Sequence, residues 1–434
     1  MKPKIKIRFI VIFSTCFIFS VYSQGWKKLE TTGSITPRSN ASAIYIPSQH
    51  TLFVFGGVTD TGNTNELWSL DLNSKIWTQI SSPSVDLPDP RFTHVCMFDS
   101  VQNRILVWSG QGDVLYNDIW AFHLNDSTWE NLFKDGNVNG APLKRYGTAT
   151  VFDPEKRNII NFAGFTTSGR FDDTWSFQVD NKTWTDKTNS FFPIKRCLTT
   201  ACIAPERREM IVFGGQSSGN LNDIWKLNTD TFSWTDLSPA INPTARHFAS
   251  SVYCGKGNVV IFGGDTLNQG NKAGAVNDLW AFSLDNGQWK ELSQSGAVPL
   301  PRYGHTATYI KEKDQLVVFG GQGTTALFSD TWIYEHLTET INSIRKDNPL
   351  LASFYCFPNP SVTHTQFNFS LTETSTVTLR ITDINGQLMT TLLNEALPEG
   401  EHAVPFPHQL APGVYLCTLI TKSAASTIPV IVIQ

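Results

Sequence analysis

The sequence predicts an all-β chain: a six-bladed β-propeller closed by an N-terminal strand, followed by a small β-sandwich. Three observations point there. An apolar, β-branched run ending in small residues recurs six times: TLFVFGG (51–57), RILVWSG (104–110), NIINFAG (158–164), EMIVFGG (209–215), NVVIFGG (258–264) and QLVVFGG (315–321). Such a run suits a buried strand entering a tight turn. An arginine stands 17 or 18 residues before each turn (Arg38, Arg91, Arg145, Arg196, Arg246, Arg302), and acid-x-Trp follows each turn. Those tryptophans are Trp68, Trp120, Trp175, Trp225, Trp280 and Trp332, and nine residues beyond the first five stands another: Trp77, Trp129, Trp184, Trp234 and Trp289. Each unit therefore holds four short strands in a period of 50 to 56 residues, which is propeller spacing.

Taken in order, the chain opens with four basic residues (Lys2, Lys4, Lys6, Arg8) and the apolar run FIVIFSTCFIFSVY. At 14 residues the run is short for a bilayer span, so residues 1–23 are expected to be a signal peptide cleaved after Ser23. No other segment could span a membrane, so the mature chain is expected to carry none. Its 30 basic and 38 acidic residues leave a net charge near −8. That is a poor footprint for nucleic acid, and no such partner is expected.

The propeller is expected over residues 24–340. The sixth unit has no second tryptophan after Trp332, and Trp26 supplies it. GWKKL matches IWTQI, TWENL, SWTDL and QWKEL, so the N-terminal segment should be the outer strand of the last blade. Closing the ring removes an unpaired strand edge. The Pro-Arg openings (PRSNAS, DPRFTH, LPRYGH), the Gly-Gly turn and NDIWAFHLNDSTW resemble the kelch repeat, over roughly residues 25 to 335. Ser109 and Ala163 replace the first glycine in two copies, and the fifth copy carries the longer insert DTLNQGNKAGA (265–275).

A linker is expected at 341–353 and a β-sandwich at 354–434, where apolar and polar residues alternate between Pro- and Gly-marked turns. The order FPNP, DINGQ, EGEH and GVYLCTL resembles the C-terminal sorting domain of type IX secretion, with Pro358, Asn359, Pro360, Gly386, Gly400, Gly413 and Tyr415 at matching positions. The resemblance implies contact with the secretion machinery and a secreted or outer-membrane cell-surface location. Lys422 is the last basic residue, whereas many such tails end in a lysine-containing strand. Six cysteines follow the signal (Cys96, Cys197, Cys202, Cys254, Cys356, Cys417) with no CxxC pair, and Cys356–Cys417 is the bridge to expect if one forms.

Residues present in every blade are expected to be structural. The six arginines and the acids before the tryptophans should form Arg–carboxylate contacts, and Trp26, Trp77, Trp129, Trp184, Trp234 and Trp289 should fill the gaps between blades. The competing reading is an arginine ring that binds an anion. His94 and His305 match a histidine frequent in kelch repeats and are also expected to be structural. In an up-and-down blade the Gly-Gly turns and the arginine segments share one face. That face should carry Asp60, Gln111, Asp113 and Gln216, and the candidate ligand-binding set is Phe92, Tyr146, Arg170, His247, Tyr303, Asn268 and Lys272. Aromatic and amide groups around a shallow funnel suit a protein or glycan partner. No HExxH, GxSxG or phosphate-cradling motif occurs, and no histidine pair has metal-ligand spacing, so no catalytic residue, metal or cofactor is assigned. The kelch resemblance also implies an enzymatic alternative, a sugar epimerase or a copper-radical oxidase. Tyr146, Tyr303, His247 and Cys197 are of the oxidase's residue types but fall on different blades. A third reading is a structural surface repeat without a small ligand.

Overall fold

The computed structural model describes residues 25–136, 140–267, 274–292, 294, 296–346, 351–383, 387–408, 410–421 and 425–433. The expected signal peptide, Asn268, Lys272 and part of the expected linker lie outside them. Blade 1 is a four-stranded antiparallel sheet of Ser42–Ile46, Thr51–Phe55, Leu67–Asp71 and Ile76–Ile80. Blades 2 to 5 repeat it, with innermost strands Val95–Asp99, Ala149–Asp153, Thr200–Ala204 and Ser250–Tyr253. Blade 6 takes Thr306–Ile310, Gln315–Phe319 and Thr331–Glu335 from one end of the propeller and Gly25–Leu29 from the other. In that last pairing Trp26 stands opposite Tyr334. The innermost strands pack side by side round an axis, and Thr306–Ile310 meets Ser42–Ile46 to complete the circuit.

The outer-strand tryptophans bind blade to blade. Trp77, Trp129, Trp184, Trp234 and Trp289 rest on Phe319, Phe55, Trp108, Phe162 and Phe213 of the preceding blade, at centroid distances of 4.8, 5.2, 4.6, 4.6 and 5.1 Å. Trp26 makes the sixth such contact, 5.0 Å from Phe262 of blade 5, and is 6% exposed. Burying an indole against a ring removes a large apolar area from water and adds a favourable aromatic geometry.

Inside each blade the repeated arginine is at most 1% exposed. Its Nη1 donates to the carbonyl of the first turn residue at 2.9–3.1 Å. The guanidinium also pairs with Glu66, Asp118, Asp173, Asp223, Asp278 or Asp330. The tryptophan two residues after the acid donates its indole N–H to the same carboxylate. Buried charge is tolerated here because every partner is satisfied locally.

A helix at Leu337–Lys346 crosses the boundary expected at 340/341. Asp314 caps it, accepting from the Thr338 N–H at 2.9 Å, and Leu337 and Ile341 are buried with Trp26 and Tyr334. A single ten-residue helix with β-branched residues gives too little periodic signal to be read from sequence. The tail pairs a three-stranded sheet (Leu351–Phe357, His364–Leu371, Gly400–Pro407) with a four-stranded one (Leu388–Leu397, Ser375–Asp383, Gly413–Ile420, Ala425–Val432). Phe367, Phe369, Leu379, Ile381 and Leu419 fill the space between them. All six cysteines are free thiols, which corrects the expected Cys356–Cys417 bridge. Both pack in the same core. The Cys356 sulfur, however, is directed to the Pro429 carbonyl at 3.9 Å, while Cys417 is wholly buried.

Candidate functional site

The loop face is built by backbone geometry. The first residue of each Gly-Gly turn sits at φ 60–65°, a left-handed region that Ser109 (62°) and Ala163 (64°) can enter at modest cost. The second sits at φ 94–117° and is glycine in all six copies. At Gly215 a Cβ would also lie 2.8 Å from the Cys197 carbonyl oxygen. This second glycine donates its N–H to the arginine carbonyl of the next blade at 2.8–3.1 Å, from Gly57→Arg91 round to Gly321→Arg38. The residue after each arginine forms a β-bridge to the strand leaving the turn, as in Phe92–Gln111, Tyr146–Phe165 and His247–Asp265. Turns and arginine segments therefore share the face, in the arrangement the repeat predicted.

A second, inner circuit went unread in the sequence. Asn40, Thr93, Gly147, Leu198, Phe248 and Gly304, each two residues after its arginine, have φ between 51° and 63°. Each donates its N–H to the carbonyl of the equivalent residue in the neighbouring blade, at 2.6–3.2 Å, and the six bonds close on themselves. The six positions hold five different residue types, with glycine twice, so the backbone carries the pattern. This ring lines a cavity of about 130 Å³ with His94, Thr148, Thr199 and His305. His94 and His305 are buried beside Arg91 and Arg302, and burial pushes both imidazoles down to about 3. His305 contacts the Ser250 hydroxyl at 2.8 Å.

Blades 3, 4 and 5 raise one side of the funnel. Their central strands run past the glycine turn, as Asn158–Thr166 with Gly169–Gln178, Glu209–Gln216 with Asn220–Asn228, and Asn258–Asp265 with Ala275–Ser283. These taller hairpins bring together Arg170, Gln216, Asn220 and Asp265, of which Asn220 and Asp265 had not been singled out. Arg170 Nη2 donates to Gln216 Oε1 at 2.6 Å, and its guanidinium stands 5.6 Å from the Phe165 ring, which meets Tyr146 at 5.5 Å. Asn220 Nδ2 donates to the Asp265 carbonyl, leaving Oδ1 to accept from His247 Nδ1 at 3.0 Å. That fixes the His247 tautomer and leaves Nε2 as an acceptor. Burial lowers the His247 pKa against the pull of Asp265 and raises those of Tyr146 and Tyr303. The arc therefore presents a neutral imidazole and two neutral phenols. Phe248 stacks between His247 and Tyr303, at 5.1 and 6.0 Å. Phe92 lies on blade 2, outside this cluster.

Arg170 is unlike the other arginines between residues 25 and 336. The other ten hold carboxylates, whereas Arg170 pairs with none among the described residues and its Nε is buried without an acceptor. Also among the described residues, no three His, Cys, Asp or Glu side chains could hold a metal ion together.

Residues 10–187, 81–264 and 186–355 match, in overlapping placements, the KLHDC2/KLHL20/DRC7 Kelch-repeats domain. The chain belongs to the kelch-repeat family. Residues 355–434 match the secretion system C-terminal sorting domain, which marks type IX export and a secreted or cell-surface destination. The flagellar outer arm dynein alpha chain of Chlamydomonas reinhardtii is 24% identical over 275 residues, 59% of this chain and 5% of that protein. Mei4-dependent protein 6 of Schizosaccharomyces pombe is 20% identical over 323 residues, 67% and 46% respectively. Kelch domain-containing protein 10 of Homo sapiens is 27% identical over 172 residues, 38% of each chain. The matched part spans less than half the length of each relative.

The loop face of this kelch propeller is also where apolar side chains reach solvent. Nine large exposed apolar residues of the propeller lie on it: Val85, Leu87, Val114, Leu143, Phe191, Ile194, Ile241, Leu267 and Leu300. Only Ile76 and Val101 lie at the opposite end, among the described residues. Scattered apolar side chains are ordinary on a surface, and here nine of the propeller's eleven fall on one face. No helix among the described residues is long and apolar enough to cross a membrane.

Proposed function

We propose that the chain is an exported binding module whose kelch propeller docks a partner protein on its loop face. In this reading residues 1–23 direct entry into the export pathway, the propeller is the working part, and the tail hands the chain to the secretion machinery. The observation that carries it is the nine-to-two distribution of exposed apolar side chains toward the loop face. They surround a funnel with one guanidinium that pairs with no carboxylate among the described residues, Arg170, and a neutral arc of Tyr146, His247 and Tyr303. Apolar side chains at a rim supply buried area, while a few buried polar groups supply orientation. A partner acceptor that reached the Arg170 guanidinium would form a charge-assisted hydrogen bond. Contact without covalent chemistry is sufficient for these residues, and no catalytic role is assigned to any of them.

The test is affinity capture from the surface fraction and medium of the producing cells, with the immobilised full chain as bait. Ile241→Asp, Leu300→Asp, Arg170→Gln and a Tyr146→Ala/Tyr303→Ala pair should each reduce recovery of the captured protein by about tenfold. Ile76→Asp, on the opposite face, should leave recovery unchanged. Equal recovery by every variant would show that the loop face is not the docking surface.

A further inference from the structure

The sorting tail exposes a patch that its fold does not require. In its four-stranded sheet Val414 stands directly across from Ile431, and Leu416 across from Pro429. Thr382 lies between Leu416 and Leu388 in the same register. Side chains alternate along a strand. Cys417, Val430 and Val432 turn into the core, at 0, 0 and 3% exposure, so their neighbours turn out. Val414, Ile431, Ile433 and Leu388 are 48, 37, 47 and 56% exposed. Further along the same face the pattern becomes polar, with Arg380 beside Thr418 and the Thr418 and Thr427 hydroxyls 2.9 Å apart. An antiparallel sheet with one solvated face is expected to be polar across it. The apolar end, made by the last strand of the chain, departs from that.

The turn that had carried the sorting resemblance fixes this end in place. The Asn359 side chain donates to the Pro429 carbonyl at 2.9 Å and accepts from the Ile431 N–H at 2.8 Å. Ser361 then takes the Ile431 carbonyl and the Ile433 N–H, at 2.8 and 2.9 Å. The backbone at Ile431 and Ile433 is thus occupied, which closes this stretch to an added β-strand. Their side chains remain outside.

We propose that this face, centred on Val414, Ile431 and Ile433, is the surface by which a protein of the export machinery grips the tail. The occupant follows from the match: the sorting module spans residues 355–434 and so includes the last strand. The grip is apolar side-chain packing on a preformed surface, with the ordering cost already met by the Asn359 turn.

The test uses the full chain in a bacterium with a type IX route, measuring exported against cell-retained protein by immunoblot. Val414→Asp and Ile431→Asp should each lower export by about tenfold, while Ile431→Val restores it and Thr427→Asp, at the polar end of the same face, exports normally. Purified Val414→Asp and Ile431→Asp chains should keep the wild-type circular dichroism spectrum and proteolysis pattern. If one fails to fold, Leu388→Asp replaces it. Normal export of folded variants would overturn the proposal, and so would an equal loss in Thr427→Asp. Sedimentation of the purified wild-type chain supplies the last arm. A dimer abolished by Ile431→Asp would assign the face to a second copy and overturn the proposal, whereas a monomer supports it.

Discussion

The repeated arginines have little left to offer a ligand. Each guanidinium is occupied by a turn carbonyl and a carboxylate of its own blade, which favours the in-blade contact over the anion ring weighed against it. The sequence made this legible because six copies put the same two charges at the same spacing. His94 and His305 carry a measurable consequence. Unfolded, each titrates near 6.5; folded, each is pushed down to about 3 by burial. Between those values the unfolded chain binds protons that the folded chain refuses, so stability must rise with pH across the window and fall on acidification below about pH 6.5. Melting temperatures measured from pH 7 to pH 5 should therefore decline, and a His94→Gln/His305→Gln chain should show a shallower decline. An unchanged slope would remove these two residues from the account. The inner ring at Asn40, Thr93, Gly147, Leu198, Phe248 and Gly304 was illegible for the opposite reason: it is a backbone property shared by five different residue types.

Among the elements, the strand Gly25–Leu29 has the largest consequence for its size. It covers the edge of Thr331–Glu335 and delivers Trp26 to Phe262 and Tyr334. Five preceding tryptophans at constant spacing allowed this strand to be read from across the chain, since a vacancy in a repeat is itself a signal. Trp26→Ala should cost about 3–5 kcal/mol, the usual range for truncating a buried tryptophan, and deletion of 25–29 should cost more by exposing a strand edge. Differential scanning calorimetry reads both as a lower melting temperature for the whole propeller, and a silent deletion would mean that closure does not depend on this strand. The helix Leu337–Lys346 covers the same seam, yet no repeat announced it, because it occurs once. The tall hairpins of blades 3 to 5 were hidden similarly. Their extra length lies beyond the conserved turn, where the copies diverge, so Asn220 and Asp265 escaped notice while Arg170 and His247 did not.

For the molecule as a whole, the two modules use one kind of architecture for two tasks. The propeller gathers loops at one end of six blades, and the tail folds as a separate sandwich with its own core. Truncation after residue 350 should leave the melting temperature of the propeller unchanged, whereas truncation after residue 336 should lower it by removing Leu337 and Ile341 from the seam. Calorimetry of the two shortened chains beside the full chain distinguishes these outcomes.

Hydrogen exchange of the full chain, free and bound to the protein recovered by affinity capture, tests the proposed docking face most directly. The predicted result is new protection in the loop-face segments 81–94, 187–197, 238–247 and 296–303, with the turns at 72–75, 100–103 and 124–127 unchanged. Protection confined to those turns, or absent from the loop face, would contradict docking on that face.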